Sequence, residues 1–288
     1  MKIIKYFFEA IIIYFFFLII KTIGLRRSRN LFSVIFCKIG FFFRPKKIIQ
    51  QNIYNILGKL DSSSEKEIIS EMWSNYGKTF VEYIYLYEFK RKSSHIKIVN
   101  KEILDTIIKK NKPVIFISGH FANFELMSME LVKYGFNLAT IYRPLNNFFL
   151  NPLMEHLRRK YVCNNQIKKG MAGIRHVMNY VNKNYSVALM IDQRVSEGIR
   201  VPFFKKEALT STLPAQLAIK FGYDIVPIYI SRKNNDEFIL EIEEPIQVQN
   251  RTNSEENKSS ITLNLNKIIE RMVRKNPSQW ILTHNRWK

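Results

Sequence analysis

Apolar and polar positions alternate in blocks along this chain. Short apolar runs recur at "IKIV" 96–99, "PVIFIS" 113–118, "LATIY" 138–142, "VALMI" 187–191, "IVPIYI" 225–230 and "FILEI" 238–242. Their length and β-branched content predict buried strands. Between them the apolar spacing changes to the helical period. That predicts helices near 101–110, 123–134, 150–160, 171–183 and 212–222, and a last one over about 259–275. Such alternation predicts an α/β domain, a largely parallel mixed sheet flanked by helices. The runs 225–230 and 238–242, joined by "SRKNNDE", read as an antiparallel hairpin. Upstream, "DSSSEKEIISEMWSNYGKTFVEYIYLYEF" opens a long helix, with Ser64 and Glu67 spaced as a capping box.

The first thirty residues follow another pattern. Tyr6 to Ile20 is apolar except for Glu9, with Lys2 and Lys5 before it and Lys21, Arg26, Arg27 and Arg29 after it. A cleaved signal peptide needs a small-residue cleavage site, and basic residues stand there instead. A spanning helix needs about 20 apolar residues, which this stretch reaches only marginally. A helix lying in the membrane interface fits comparably well, and a core helix is the plain alternative. The expectation is a membrane anchor over residues 1–30, shallow or spanning, and one domain over 31–288. Basic flanks on both sides leave a spanning orientation open and suit an anionic leaflet.

Charge narrows the partners. The formal net charge is +21, which favours polyanionic surfaces such as an anionic membrane, a phosphorylated lipid or an acidic carrier protein. Nucleic-acid sites cluster Lys and Arg with interleaved aromatics. Here the basic residues are spread along the chain, so no nucleic-acid partner is expected. Cys37 and Cys163 lack metal-site spacing and read as two reduced thiols.

Two candidate groups fall at strand ends. His120 lies just past "VIFIS" and Asp192 just past "VALMI". In open α/β sheets ligands gather outside the carboxyl ends of the strands. His120 belongs to a turn, and Glu125 to the start of the next helix. On one helix five residues would separate them by roughly 140°; with His120 in the turn its ring can fold back over the helix start. An imidazole can then take a proton near neutral pH, with a carboxylate fixing its tautomer. On the residues alone, a strand-capping histidine beside a solvated glutamate fits as well. His95, His156, His176 and His284 have no partner at useful spacing and read as structural or surface groups.

"SGHFANFE" is similar to the His-x-x-x-x-Glu/Asp signature of the lysophospholipid acyltransferase superfamily. Within it the chain resembles the lipid A biosynthesis (lauroyl/myristoyl) acyltransferases. The resemblance continues in order through "IYRPLNN" 141–147, "LMIDQR" 189–194, "VPFFKKEALTSTLPAQLA" 201–218 and "WILTHNRWK" 280–288. It also takes in "MWSNYGKTFVEY" 72–83 and the apolar N-terminal helix, so it covers nearly the whole chain. One departure stands out: the family usually has Gly after the Phe-Phe pair, and here Lys205 follows Phe204.

The resemblance implies transfer of a fatty acyl chain from an acyl carrier protein thioester to a hydroxyl of a lipid A precursor, a phosphorylated glycolipid, in lipopolysaccharide biosynthesis. It implies work at the cytoplasmic face of the bacterial inner membrane, with no metal or organic cofactor. By the same resemblance His120 is the general base and Glu125 orients it. Arg158, or its neighbour Arg159, meets the oxyanion, and Asp192 holds such an arginine in place. Arg143 binds a lipid phosphate or shapes the loop before Pro144, and Lys168 and Lys169 fall in a surface loop. Rival readings are a phospholipid acyltransferase, whose motif begins Asn-His and ends in Asp, and a non-catalytic basic membrane-binding protein.

Overall fold

The computed structural model describes residues 2–288, apart from the side chains of residues 171 and 172. Four helices come first: α1 (Lys2–Ile23), α2 (Leu25–Phe43), α3 (Lys46–Leu57) and α4 (Ser62–Glu82). A 3₁₀ turn at Tyr83–Tyr85 leads into α5 (Leu86–Arg91). Then follow β1 (Ile96–Val99), α6 (Lys101–Lys110), β2 (Ile115–Ser118), α7 (Glu125–Lys133), β3 (Leu138–Tyr142) and α8 (Asn151–Leu157). A π-helical turn, Arg158–Val162, precedes β4 (Asn165–Lys168), α9 (Met171–Val181) and β5 (Ser186–Met190). The chain closes with β6 (Ile199–Phe203), β7 (Lys206–Thr210), α10 (Leu213–Phe221), β8 (Ile225–Arg232), β9 (Phe238–Ile242), α11 (Glu255–Lys275) and a 3₁₀ turn at Pro277–Gln279.

Seven strands form one sheet in the order β1-β9-β8-β2-β5-β3-β4. Every neighbouring pair is parallel except β8–β9, which form the antiparallel hairpin the sequence predicts. Strands β2 and β8 are buried at every position, as strands covered on both faces must be. Strand β4 was not expected. It occupies the segment read as a surface loop, so Lys168 ends an edge strand and pairs with Glu155 at 3.1 Å. The cap of α4 also differs from expectation. Asp61, not Ser64, is the N-cap, and its Oδ1 accepts the N–H groups of Ser63 and Ser64 at 2.9 Å. A carboxylate at that place serves the helix dipole better than a hydroxyl one turn inside.

Helix α1 turns into α2 at Gly24, so residue 30, the expected anchor boundary, falls inside α2. Phe17 of α1 stacks on Phe80 of α4 at 5.2 Å, and Phe32 and Phe36 of α2 approach the same ring at 5.5 and 5.6 Å. Tyr85 donates to the Ile20 carbonyl, Tyr14 to the Phe149 carbonyl, and Asn147 to the Tyr6 carbonyl. These contacts hold α1 along the body over most of its length. Its other face stays exposed and apolar, with Ile4, Phe8, Ile12, Phe15 and Leu18 outward. By length and composition α1 could cross a bilayer. Helices α2 and α4 pack at backbone contact: a Cβ on Gly77 would sit 2.2 Å from the Phe32 carbonyl oxygen.

The β6–β7 hairpin, also unexpected, turns on Phe204 and Lys205, both left-handed at φ 51° and 62°. A two-residue hairpin loop with positive φ at both positions favours glycine, which accounts for the family's usual Gly at this place. Phe204 is held there, its N–H donating to Glu270 at 2.7 Å and its ring lying 4.7 Å from the Arg274 guanidinium. Lys205→Gly is expected to raise stability by about 0.5–1 kcal/mol, because relief of the left-handed backbone exceeds the entropy glycine adds to the unfolded chain. A urea midpoint at or below that of the parent protein would contradict this account.

Candidate active site

Strands β2 and β5 are parallel neighbours, in register from Ile115 with Val187 to Ser118 with Met190. Their carboxyl ends therefore deliver the next residues to one place. The ladder runs on through the Ile191 N–H to the Ser118 carbonyl at 2.9 Å. One step further His120 meets Asp192. The His120 N–H donates to Asp192 Oδ2 at 2.8 Å, and Nδ1 lies 2.7 Å from Oδ1. Gly119 makes the approach possible, because a Cβ there would stand 2.7 Å from the Phe121 ring and 3.2 Å from the Asp192 carboxyl carbon.

Asp192 is 1% exposed and takes a third donor, the Trp280 indole N–H, at 2.8 Å. The C-terminal segment is fixed beside the turn by a bridge between Phe121 and Trp280 and by the Ala122 N–H donating to the Gln279 carbonyl. Burial alone would raise the Asp192 pKa. The neighbouring imidazole and the converging donors more than reverse this and hold it below the usual carboxylate value. A carboxylate on Nδ1 selects the tautomer with the proton there and leaves Nε2 as the basic atom. The Gln193 carboxamide lies 3.5 Å from Nε2, and Phe124 packs edge-on at 4.7 Å from the His120 ring.

The partners of His120 and Glu125 are thus exchanged relative to expectation. Glu125 opens α7 and turns away to the π-helical turn. Its Oε1 accepts Arg158 Nε at 2.7 Å, Arg158 Nη2 at 2.6 Å and the Tyr83 hydroxyl at 2.9 Å. Asp192, expected to hold an arginine, holds the histidine instead. The reason is strand order: β5 lies directly beside β2, and no local spacing reveals that. Of the two arginines, Arg158 is buried against Glu125 and Arg159 is exposed. Burial works against the Arg158 charge, but Glu125 and Tyr83 raise its pKa above the ordinary arginine value. Burial and the Glu125 charge keep the Tyr83 phenol protonated.

Arg143 follows β3 and is exposed. Lys169 follows β4, and burial and the Arg143 charge lower its pKa. Four groups at the site were not singled out by sequence reasoning, Trp280 and Gln193 among them. Tyr83 comes from the distant α4 end, and His284, read as structural, lies beside the site and accepts the Arg194 N–H through Nε2 at 3.0 Å. Burial lowers the His284 pKa to about 4, with Asp192 opposing and His120 and Arg286 adding to the fall. His95, also read as partnerless, lies 3.4 Å from Glu130. Among the described residues no His, Cys, Asp and Glu cluster could hold a metal ion.

The sequence matches the family described as bacterial lipid A biosynthesis acyltransferase over residues 1–288. No curated protein matches the chain.

His284 gives a pH test. Between its unfolded value near 6.5 and about 4 in the fold, the unfolded chain takes up a proton that the native state refuses. Stability is therefore expected to fall as pH drops through that window, by on the order of 1–2 kcal/mol. The lowered carboxylates Asp192 and Glu82 lose their stabilising contribution only below their unfolded values of 3.8 and 4.5. His284→Gln keeps an acceptor for Arg194 and should flatten the slope of denaturation midpoint against pH between 6.5 and 4.5. An unchanged slope would remove His284 from the account.

Proposed function

Because the chain belongs to the bacterial lipid A biosynthesis acyltransferases, we propose that it moves a fatty acyl chain from an acyl carrier protein thioester to a hydroxyl of a lipid A precursor at the cytoplasmic face of the inner membrane. The observation that carries this reading is the buried Asp192, which aligns His120 at the carboxyl edge of the sheet. His120 Nε2 takes the proton of the acceptor hydroxyl as its oxygen attacks the thioester carbonyl carbon. Asp192 stabilises the imidazolium. The tetrahedral intermediate collapses with C–S cleavage, and His120 returns the proton to the departing thiolate. The product is an ester and a free carrier thiol.

Arg158, fixed by Glu125 and Tyr83, is the proposed source of positive charge for the oxyanion. Glu125 thus serves the reaction through Arg158, not through His120. Arg143 and Lys169, at the carboxyl ends of β3 and β4, supply positive charge for an acidic partner. The membrane reading rests on the exposed apolar face of α1, on Phe41, Phe42 and Phe43 at the end of α2, and on Leu145 and Phe148 in the loop after β3. That loop touches the start of α1, with Phe148 edge-on to Tyr6 at 6.2 Å. Residues 1–30 then anchor the chain in the acyl layer, with residues 31–288 as the catalytic body at the headgroups.

The test supplies lauroyl-, myristoyl- and palmitoyl-carrier protein with a tetraacylated lipid A precursor, and separately with lysophosphatidic acid, and reads products by mass spectrometry. Transfer to the lipid A precursor is expected. His120→Ala should abolish it, and Asp192→Asn should lower kcat by ~10²–10⁴-fold by releasing the tautomer. Acylation of lysophosphatidic acid alone would move the acceptor to the phospholipid branch. Full turnover by His120→Ala would sink the mechanism.

A further inference from the structure

A cleft of about 460 Å³ is lined by one face of α3, by Lys206 at the start of β7, and by Asn285 and Trp287 of the C-terminal segment. Its volume suits a sugar-sized ligand. Gln51, Asn55 and Asn285 line it with carboxamides, Lys47 and Lys206 bring positive charge, and Trp287 offers an indole. No carboxylate occurs among its described lining residues. Carboxamides hydrogen-bond hydroxyls as both donor and acceptor, and an indole packs on a pyranose face. Ammonium groups recognise phosphate as point charges. Lys206 and Lys47 are exposed on opposite walls, Lys206 from β7 and Lys47 from α3. Lys206 is steered by Asn55 and lies 5.8 Å above the Tyr54 ring.

The chain that leads into α3 carries exposed apolar and then basic groups. Phe41, Phe42 and Phe43 are 56%, 77% and 63% exposed, and Arg44, Lys46 and Lys47 follow them directly. Apolar chain would thus meet the first group and an anionic headgroup the second. The cleft is also joined to the site. Asn52, on its wall, donates to the Leu282 and His284 carbonyls at 2.7 and 2.8 Å. His284 in turn accepts the Arg194 N–H, beside the Gln193 carboxamide at His120. Trp287 lies 6.4 Å from Trp280, which holds Asp192.

We propose that this cleft binds a phosphorylated sugar of the acceptor's headgroup, with Lys47 and Lys206 on the phosphate and Trp287 and the carboxamides on the ring. The proposal rests on the glycolipid reading above for the ligand's source, but its chemistry can be tested apart from transfer. Full-length protein in detergent would be titrated with glucosamine 1-phosphate, glucosamine and inorganic phosphate. Binding is followed through Trp287 fluorescence, with Trp287→Phe as the blank. Glucosamine 1-phosphate is expected to bind ~10-fold or more tightly than either fragment, and the Lys47→Gln/Lys206→Gln double variant to weaken it by ~10-fold or more. The same variant should raise KM for the phosphorylated precursor ~10-fold while kcat stays within about two-fold, and the difference should vanish with a dephosphorylated precursor.

Absence of binding, equal affinity for inorganic phosphate, or an unchanged Kd in the double variant would overturn the proposal. So would a fall in kcat without a change in KM. Normal transfer by the parent protein alongside any of these removes the cleft and leaves the acyltransferase reading intact. Lysine-dependent binding of glucosamine 1-phosphate without transfer to any lipid A precursor removes that reading and leaves the cleft's ligand chemistry standing.

Discussion

Asp192 is buried, and a buried carboxylate stays ionised only where donors and positive charge surround it. It draws these donors from two distant parts of the chain: the turn after β2, through the backbone and ring of His120, and the C-terminal segment, through Trp280. Removing either partner would strip a donor from the buried charge, so the carboxylate ties both segments to the end of β5. The resulting stiffness suits a base that must present one nitrogen in one direction. The aromatic cluster of Phe203, Trp280 and Trp287 packs behind it and keeps water from the carboxylate.

A second buried acid organises the other side of the same turn. Glu82 ends α4 and is fully buried. It accepts Arg29 Nε from α2 at 2.8 Å and Asn123 Nδ2 from the His120 turn at 2.9 Å, and it also pairs with Arg232 of β8. Burial would raise its pKa, and the two arginines bring it below the usual value. The network joins the helices nearest α1 to the turn carrying the base. The apolar N-terminal helix is thereby connected to the chemistry through packed aromatic rings and paired charges rather than by a loose linker.

At one place part of the positive charge adjoins exposed aromatic groups. Phe41 to Phe43 run directly into Arg44, Lys46 and Lys47, so apolar and basic surface meet within a few residues. Such a border suits the boundary between hydrocarbon and anionic headgroups, where both contributions add.

The sequence by itself determined six of the nine described strands, the fold class and the edge at which His120 and Asp192 end their strands. Strands over 96–99, 138–142 and 238–242 match the expected limits, because hydrophobic period and β-branched content are local properties. The family signature was legible for the same reason, being a set of short segments in order. Weak local signals were lost: β4 is a polar edge strand, and the β6–β7 turn lacks the glycine that would announce it. Only the tertiary structure decided which carboxylate meets His120. Glu125 is five residues away and Asp192 seventy-two, yet β5 packs beside β2 while α7 carries Glu125 toward Arg158. Sequence spacing measures distance along one element, whereas partnership at a sheet edge depends on strand order, set by long-range packing.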